Sequence, residues 1–297
     1  MTKSVFTLLT VALILLIGFL GIRQRHGPTE TGSPPGAGAS GAALTAAERT
    51  RIESFWAIYR QASQEKQAGR WAEAVRDYRQ ALQLNPSHWD TLYYLGGGLV
   101  QLRRYRDAEA AYRRLVAAEN QPARAHAALG ALYANPSAGP LFDLAKAERE
   151  FQAARRANAD ESGPILRLGE VALAAGETAR AREYLQAAGR TNFKSVTAPF
   201  LLGYIAWRDG DARQALTLFG KAISLTQEQP PPAGVLGEGD TRLKGHRAMV
   251  LPEQQDLFDG FVAELWQQKA TDEAHMTPLY MRIENYLQRL PGHGKAR

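Results

Sequence analysis

Small and apolar residues return along this chain at a fixed interval of thirty-four positions. Ala74, Tyr78 and Ala81 recur as Ala108, Tyr112 and Leu115, while Gly169, Ala181, Leu185 and Ala188 recur as Gly203, Ala215, Phe219 and Ala222. A period of this length marks a helical repeat array. Ala and Gly at set places let two antiparallel helices approach closely, and one large side chain fills the groove between them. No such unit can bury its own apolar face, so neighbours must stack, and the stack leaves a long surface open to partners.

Written from their first residues, the units are Phe55 to His88, Trp89 to Pro122, Ala123 to Glu161, Ser162 to Ser195 and Val196 to Gln229. The third is longer. Its first helix carries Leu129, Gly130 and Tyr133 in register, and the pattern resumes five residues late with Ala147, Phe151 and Ala154. The Pro- and Gly-containing run from Asn135 to Pro140 belongs in the turn between the two helices, because these residues end helices and the register recovers on both sides.

These residues resemble the tetratricopeptide repeat family. Leu95, Gly96, Leu99, Ala108 and Tyr112 stand at the seventh, eighth, eleventh, twentieth and twenty-fourth places of the second unit. The first unit matches at Ala62, Ala74, Tyr78, Ala81 and Pro86. The fourth matches at Leu168, Gly169, Ala172, Ala181, Leu185 and Ala188, and the fifth at Leu202, Gly203, Ala206, Ala215, Phe219 and Ala222. The family's aromatic at the fourth place is replaced by Ile58, Leu92, His126, Ile165 and Pro199. The resemblance implies an all-α superhelix of stacked antiparallel helix pairs that binds proteins or peptides, and it does not imply an enzyme. Members that clasp a C-terminal carboxylate carry Lys and Asn where Tyr59 and Ser63 stand, which argues against that mode here.

The inner face of such a superhelix is lined from the first helix of each unit. Trp56 and Tyr59, then Tyr93, Leu166, and finally Phe200, Tyr204 and Trp207 fall on it, and these are the candidate protein-binding residues. Aromatic rings offer large contact area with little side-chain entropy to lose. They gather at the two ends, and the small Ala127, Ala131 and Ala134 leave room in the middle. The competing reading is that Trp56, Phe200 and Trp207 pack against neighbouring or terminal helices.

Before the array, Val5 to Ile22 is an eighteen-residue run with no charge. As a helix it rises about 27 Å, close to the hydrocarbon thickness of a bilayer. A removed signal peptide usually has a shorter apolar region and a nearby small-residue cleavage site. The nearest Ala-x-Ala is Ala37 to Ala39, so the run reads as a retained membrane span after a short tail, 1–4. Lys3 on one side nearly balances Arg23 and Arg25 on the other. The arrangement of a short end, an anchor and a large body favours an inner-membrane protein with its repeats in the periplasm. Residues 23–43, rich in Gly, Pro, Ser, Thr and Ala, read as a tether. Thr45 and Glu48 offer a capping box for a helix leading into the first unit of the segment 44–229.

After Gln229 a Pro-rich break opens a linker or ordered loop over 230–251. Two amphipathic helices follow within 252–297, one on Leu257, Phe258, Phe261, Val262 and Leu265, the other on Leu279, Ile283, Tyr286, Leu287 and Leu290. They read as a cap over the apolar end of unit five, with a fold back into the groove as the sharper alternative.

Charge and chemistry change the picture little. The chain carries 36 Lys and Arg against 30 Asp and Glu, a formal net charge of +6, and no cysteine. Arg103, Arg104, Arg106, Arg113 and Arg114 cluster, but without aromatic interleaving they read as a solvated outer face, so neither nucleic acid nor a small-molecule substrate is expected. The six histidines are scattered and show no ligand spacing, so no metal and no cofactor are expected. Gly237 to Gly245 lacks the ending of a phosphate loop. The expectation is a membrane-anchored scaffold or adaptor that supports assembly, export or biogenesis of an envelope complex. A permanent structural subunit of a membrane complex is one rival, and the regulatory part of an enzyme with Asp240, Lys244 and His246 converging after residue 229 is the other.

Overall fold

A computed structural model of the chain describes residues 45–119, 121–230 and 257–294. The helical body starts at Ala46. It opens with five hairpins: α1 (Ala46–Gln67) with α2 (Trp71–Leu84), α3 (Trp89–Gln101) with α4 (Tyr105–Ala117), and α5 (Pro122–Tyr133) with α6 (Leu144–Ala157). Then come α7 (Ser162–Ala174) with α8 (Thr178–Thr191), and α9 (Thr197–Arg208) with α10 (Ala212–Gln227). Each helix packs most closely on its hairpin partner, and the second helix of each of the first four pairs packs next on the first helix of the following pair, which is the arrangement of a stacked superhelix. Two more helices, α11 (Asp259–Glu264) and α12 (Glu273–Arg289), follow in the C-terminal segment.

The recurring small residues lie where the helices cross. Ala74, Ala108, Ala147, Ala181 and Ala215 are all fully buried, and so are the large side chains four places later, Tyr78, Tyr112, Phe151, Leu185 and Phe219. Glycine at the eighth place completes the contact. A Cβ on Gly96 would overlap the Tyr112 ring, and one on Gly169 would stand 2.9 Å from Leu185 Cδ2. Gly96→Ala is therefore expected to cost about 1–3 kcal/mol through overpacking. A lower urea midpoint at unchanged m-value is the expected result, and an unchanged midpoint would contradict this account of the crossing.

The extra residues of unit three form a short 3-10 turn, Pro136–Leu141, between α5 and α6. Asn135 starts it by accepting from the Ser137 amide at 2.9 Å, and Gly139 takes φ +59 beside Pro140. Asp143 then caps α6 by accepting from the Lys146 amide. α1 begins directly after Thr45 and runs unbroken through Phe55, Trp56 and Tyr59, so lead helix and first repeat helix are one. Among the described residues no helix is long and apolar enough to cross a membrane. The apolar run 5–22, the tether 23–43 and nearly all of 230–251, with Asp240, Lys244 and His246, lie outside the described residues.

Candidate functional site

The inner face divides into an open and a covered part. At the open end Trp56 is 44% exposed and Tyr59 is half-buried, and their rings meet edge-on at 5.7 Å. Tyr59 donates its hydroxyl to Asp90 Oδ2 at 2.7 Å, which ties the first helix of unit one to that of unit two. Burial, reinforced by Asp90, pushes the Tyr59 hydroxyl far above its ordinary pKa and keeps it a donor at every physiological pH. Beside it Lys66 places Nζ 3.5 Å from the centre of the Tyr94 ring, and burial lowers the lysine pKa although Asp90 opposes it. Arg124 lies 4.7 Å over the Tyr93 ring. The result is a strip of aromatic surface carrying two cations and one carboxylate, suited to a polypeptide with both apolar and charged side chains. Tyr93 itself is fully buried, so within this strip it acts as the floor under Arg124.

The covered part begins at unit three. Leu257 and Asp259 share with Ala131, Ala134, Arg167 and Glu170 a pocket of about 230 Å³. Arg167 and Glu170 are buried ionisable side chains one helical turn apart on α7, joined at 3.0 Å. Burial raises the Glu170 carboxyl to a pKa of about 8. Arg167 opposes the shift, and the neighbouring Asp259 charge adds to it. Leu166 is half-buried alongside.

In unit five the coverage is deepest. Tyr280 of α12 packs its ring against Phe200 at 5.6 Å, Tyr204 at 5.9 Å, Trp207 at 6.1 Å and Phe219 at 5.9 Å. Its hydroxyl donates to the Phe200 carbonyl at 3.2 Å, in space left by Gly203, where a Cβ would overlap that oxygen. Glu284, one turn on, accepts from the Tyr204 hydroxyl and lies 3.6 Å from Arg208. Burial would raise the Glu284 pKa, but the bonds from Tyr204 and Gln288 and the Arg208 charge hold it below the usual carboxylate range. Phe200 and Tyr204 are thus fully buried and Trp207 half-buried.

Of the seven candidate residues, only Trp56 and Tyr59 stand at an accessible end. A ligand reaching Phe200, Tyr204 or Trp207 has to displace the chain's own C-terminal segment. The sequence pattern places Arg124 on the inner face but does not single out Tyr94 and Arg167 on the array or Tyr280 and Glu284 on the segment. The Arg167–Glu170 pair had a readable signal, two charges inside the otherwise apolar stretch Ile165 to Ala174. The arginine cluster is engaged on the outer face: Arg104 pairs with Asp107, Arg113 with Glu109 at 2.7 Å, and Arg114 donates to the Pro86 carbonyl at 2.9 Å. Among the described residues no group of three or more metal-ligating side chains converges.

The geometry defines a helical-hairpin scaffold with a partly filled inner face. Family models of the tetratricopeptide repeat match residues 66–132 and 166–230. Among solved structures, pilF of Pseudomonas aeruginosa aligns at 16% identity over 81% of this chain and 95% of its own, with a TM-score of 0.53. A MamA fragment from Desulfovibrio magneticus RS-1 aligns at 18% identity over 60% of this chain and 97% of its own, with a TM-score of 0.52. At such identities they share the fold. No curated protein matches the chain in sequence.

Proposed function

We propose that this chain is a membrane-anchored adaptor that receives a protein or peptide on the inner face of its first units, rather than an enzyme. Tetratricopeptide arrays generally mediate protein–protein interactions and scaffolding. The observation that carries the reading is the accessible strip of Trp56, Tyr59, Lys66, Tyr94 and Arg124. There, exposed aromatic surface, which a soluble fold has reason to bury, lies beside fixed charges. The uncharged run 5–22 supports an anchor in the inner membrane with the repeats in the periplasm, where a tether over 23–43 would raise the effective concentration of membrane-bound partners. Assembly, export or biogenesis of an envelope complex is the role that fits such recruitment.

The test is crosslinking in intact membranes followed by mass spectrometry, with the full chain and a Trp56→Ala, Tyr59→Ala variant. Loss of two aromatic anchors is expected to weaken partner recovery about tenfold or more at unchanged helicity. Equal recovery by a folded variant would remove the strip from the interface, and neighbours confined to the cytoplasm would overturn the proposed side.

A further inference from the structure

The C-terminal segment does more than close the end of the stack. A helix serving only to cover unit five would rest on α10. This segment also makes that contact, with Tyr280 against Phe219 and the Trp266 indole donating to the Gln229 carbonyl at 3.3 Å. From there it crosses the inner face: Tyr280 and Glu284 sit on α9, and Tyr286 packs on Phe258 and Phe261. His293 Nδ1 approaches the Ala174 carbonyl at 2.8 Å, and the Gly294 amide donates to the Ala175 carbonyl at 3.2 Å. Leu257 lines the same pocket as Ala131 and Ala134 of unit three. Three units are covered at the places where an array of this kind meets a ligand.

The seat is chemically selective. Gly203 opens space for one hydroxyl under the Phe200 carbonyl, and the Tyr204 hydroxyl and Arg208 guanidinium both address one carboxylate a helical turn further on. An aromatic hydroxyl and a carboxylate at positions i and i+4 of a helix satisfy both, because such positions share a face. The outward side of α12 is left exposed at Met281 and Arg282, as on a helix lying in a groove.

We infer that the inner face of units three to five is a helix-binding groove, occupied in the isolated chain by residues 257–294 as an intramolecular ligand. Its external partner is an amphipathic helix presenting a tyrosine and, four residues later, an acidic side chain. This extends the adaptor reading to a second surface. It rests on the inner face being a protein-binding surface, but its test uses no natural partner, so failure of one reading leaves the other standing. A tethered occupant competes at high effective concentration, so an incoming helix binds more weakly than its intrinsic affinity by the fraction of time the groove is vacant.

The experiment measures fluorescence anisotropy of a labelled peptide spanning residues 271–294 with the full chain. The double variant Glu284→Ala, His293→Ala removes polar anchors of the resident segment without opening the Tyr280 core. It is expected to bind the peptide at least tenfold more tightly than the wild-type chain, and a peptide carrying Glu284→Ala is expected to lose that gain. Equal binding by wild type and a folded double variant would overturn the proposal. Should the double variant lose helicity, Glu284→Gln decides by the same tenfold criterion. A dimer that exchanges segments at high concentration would assign the groove to a second copy and overturn the external partner.

Discussion

Tyr280→Ala is expected to destabilise the C-terminal half of the protein by about 3–5 kcal/mol, the usual range for deleting a fully buried aromatic ring. The ring is inaccessible and touches four aromatic side chains from two helices, so no single neighbour can close the space left behind. The loss should be local. In a stack where each unit contacts only its neighbours, stability is close to a sum of unit and interface contributions. Amide hydrogen exchange should therefore accelerate in α9, α10 and α12 while α1 to α4 keep wild-type protection. Uniform acceleration along the whole array would show that units one and two depend on the C-terminal segment, contrary to the contacts described above.

The second large effect is a dependence on pH. Glu170 has a pKa of about 8 in the folded chain and an ordinary carboxylate value when unfolded. Between these values the folded state holds one more proton than the unfolded state, so the Glu170 contribution to stability is greatest below the unfolded value and is lost as pH rises through the folded pKa. The groups facing Glu170 are Arg167 on its own helix, Asp259 of α11 and Tyr286 of α12. One guanidinium serves two carboxyls, and the one buried deeper keeps its proton. Unfolding by urea should show stability dropping by on the order of 1–3 kcal/mol from pH 5 to pH 8, and Glu170→Gln, neutral throughout, should flatten that slope. Parallel profiles for wild type and variant would sink the assignment to Glu170.

Most of the architecture was legible because it is local. A period of thirty-four residues with Ala at the twentieth place and a bulky residue at the twenty-fourth describes contacts inside one hairpin and with its neighbour, as at Ala108 and Tyr112. The late register of Ala147 and Phe151 located the inserted turn for the same reason. The state of the inner face was not legible. The spacing of Leu279, Ile283 and Leu287 shows that α12 must bury one side, but not against what. The Tyr280 hydroxyl meets the Phe200 carbonyl across 80 residues of sequence, and no periodicity spans that distance. Phe200 and Tyr204 therefore read as groove lining, which their positions in unit five support, while their cover comes from a segment outside the repeat pattern. Tyr93 is a similar case, since its place on the inner face is visible in sequence but the Arg124 guanidinium stacked over it is not.

The long reach of that segment also orders events at the ribosome. The hairpins can close as they emerge, since their contacts join residues near in sequence. The His293 contact with Ala174 spans 119 positions and has to await the synthesis of residue 293. At roughly 5–20 residues per second, α9 is complete about 4–16 s before the last turn of α12 has been made. For that interval Phe200, Tyr204 and Trp207 stay uncovered, so the nascent protein passes through a stage at which chaperones and early partners meet a surface that the finished molecule conceals.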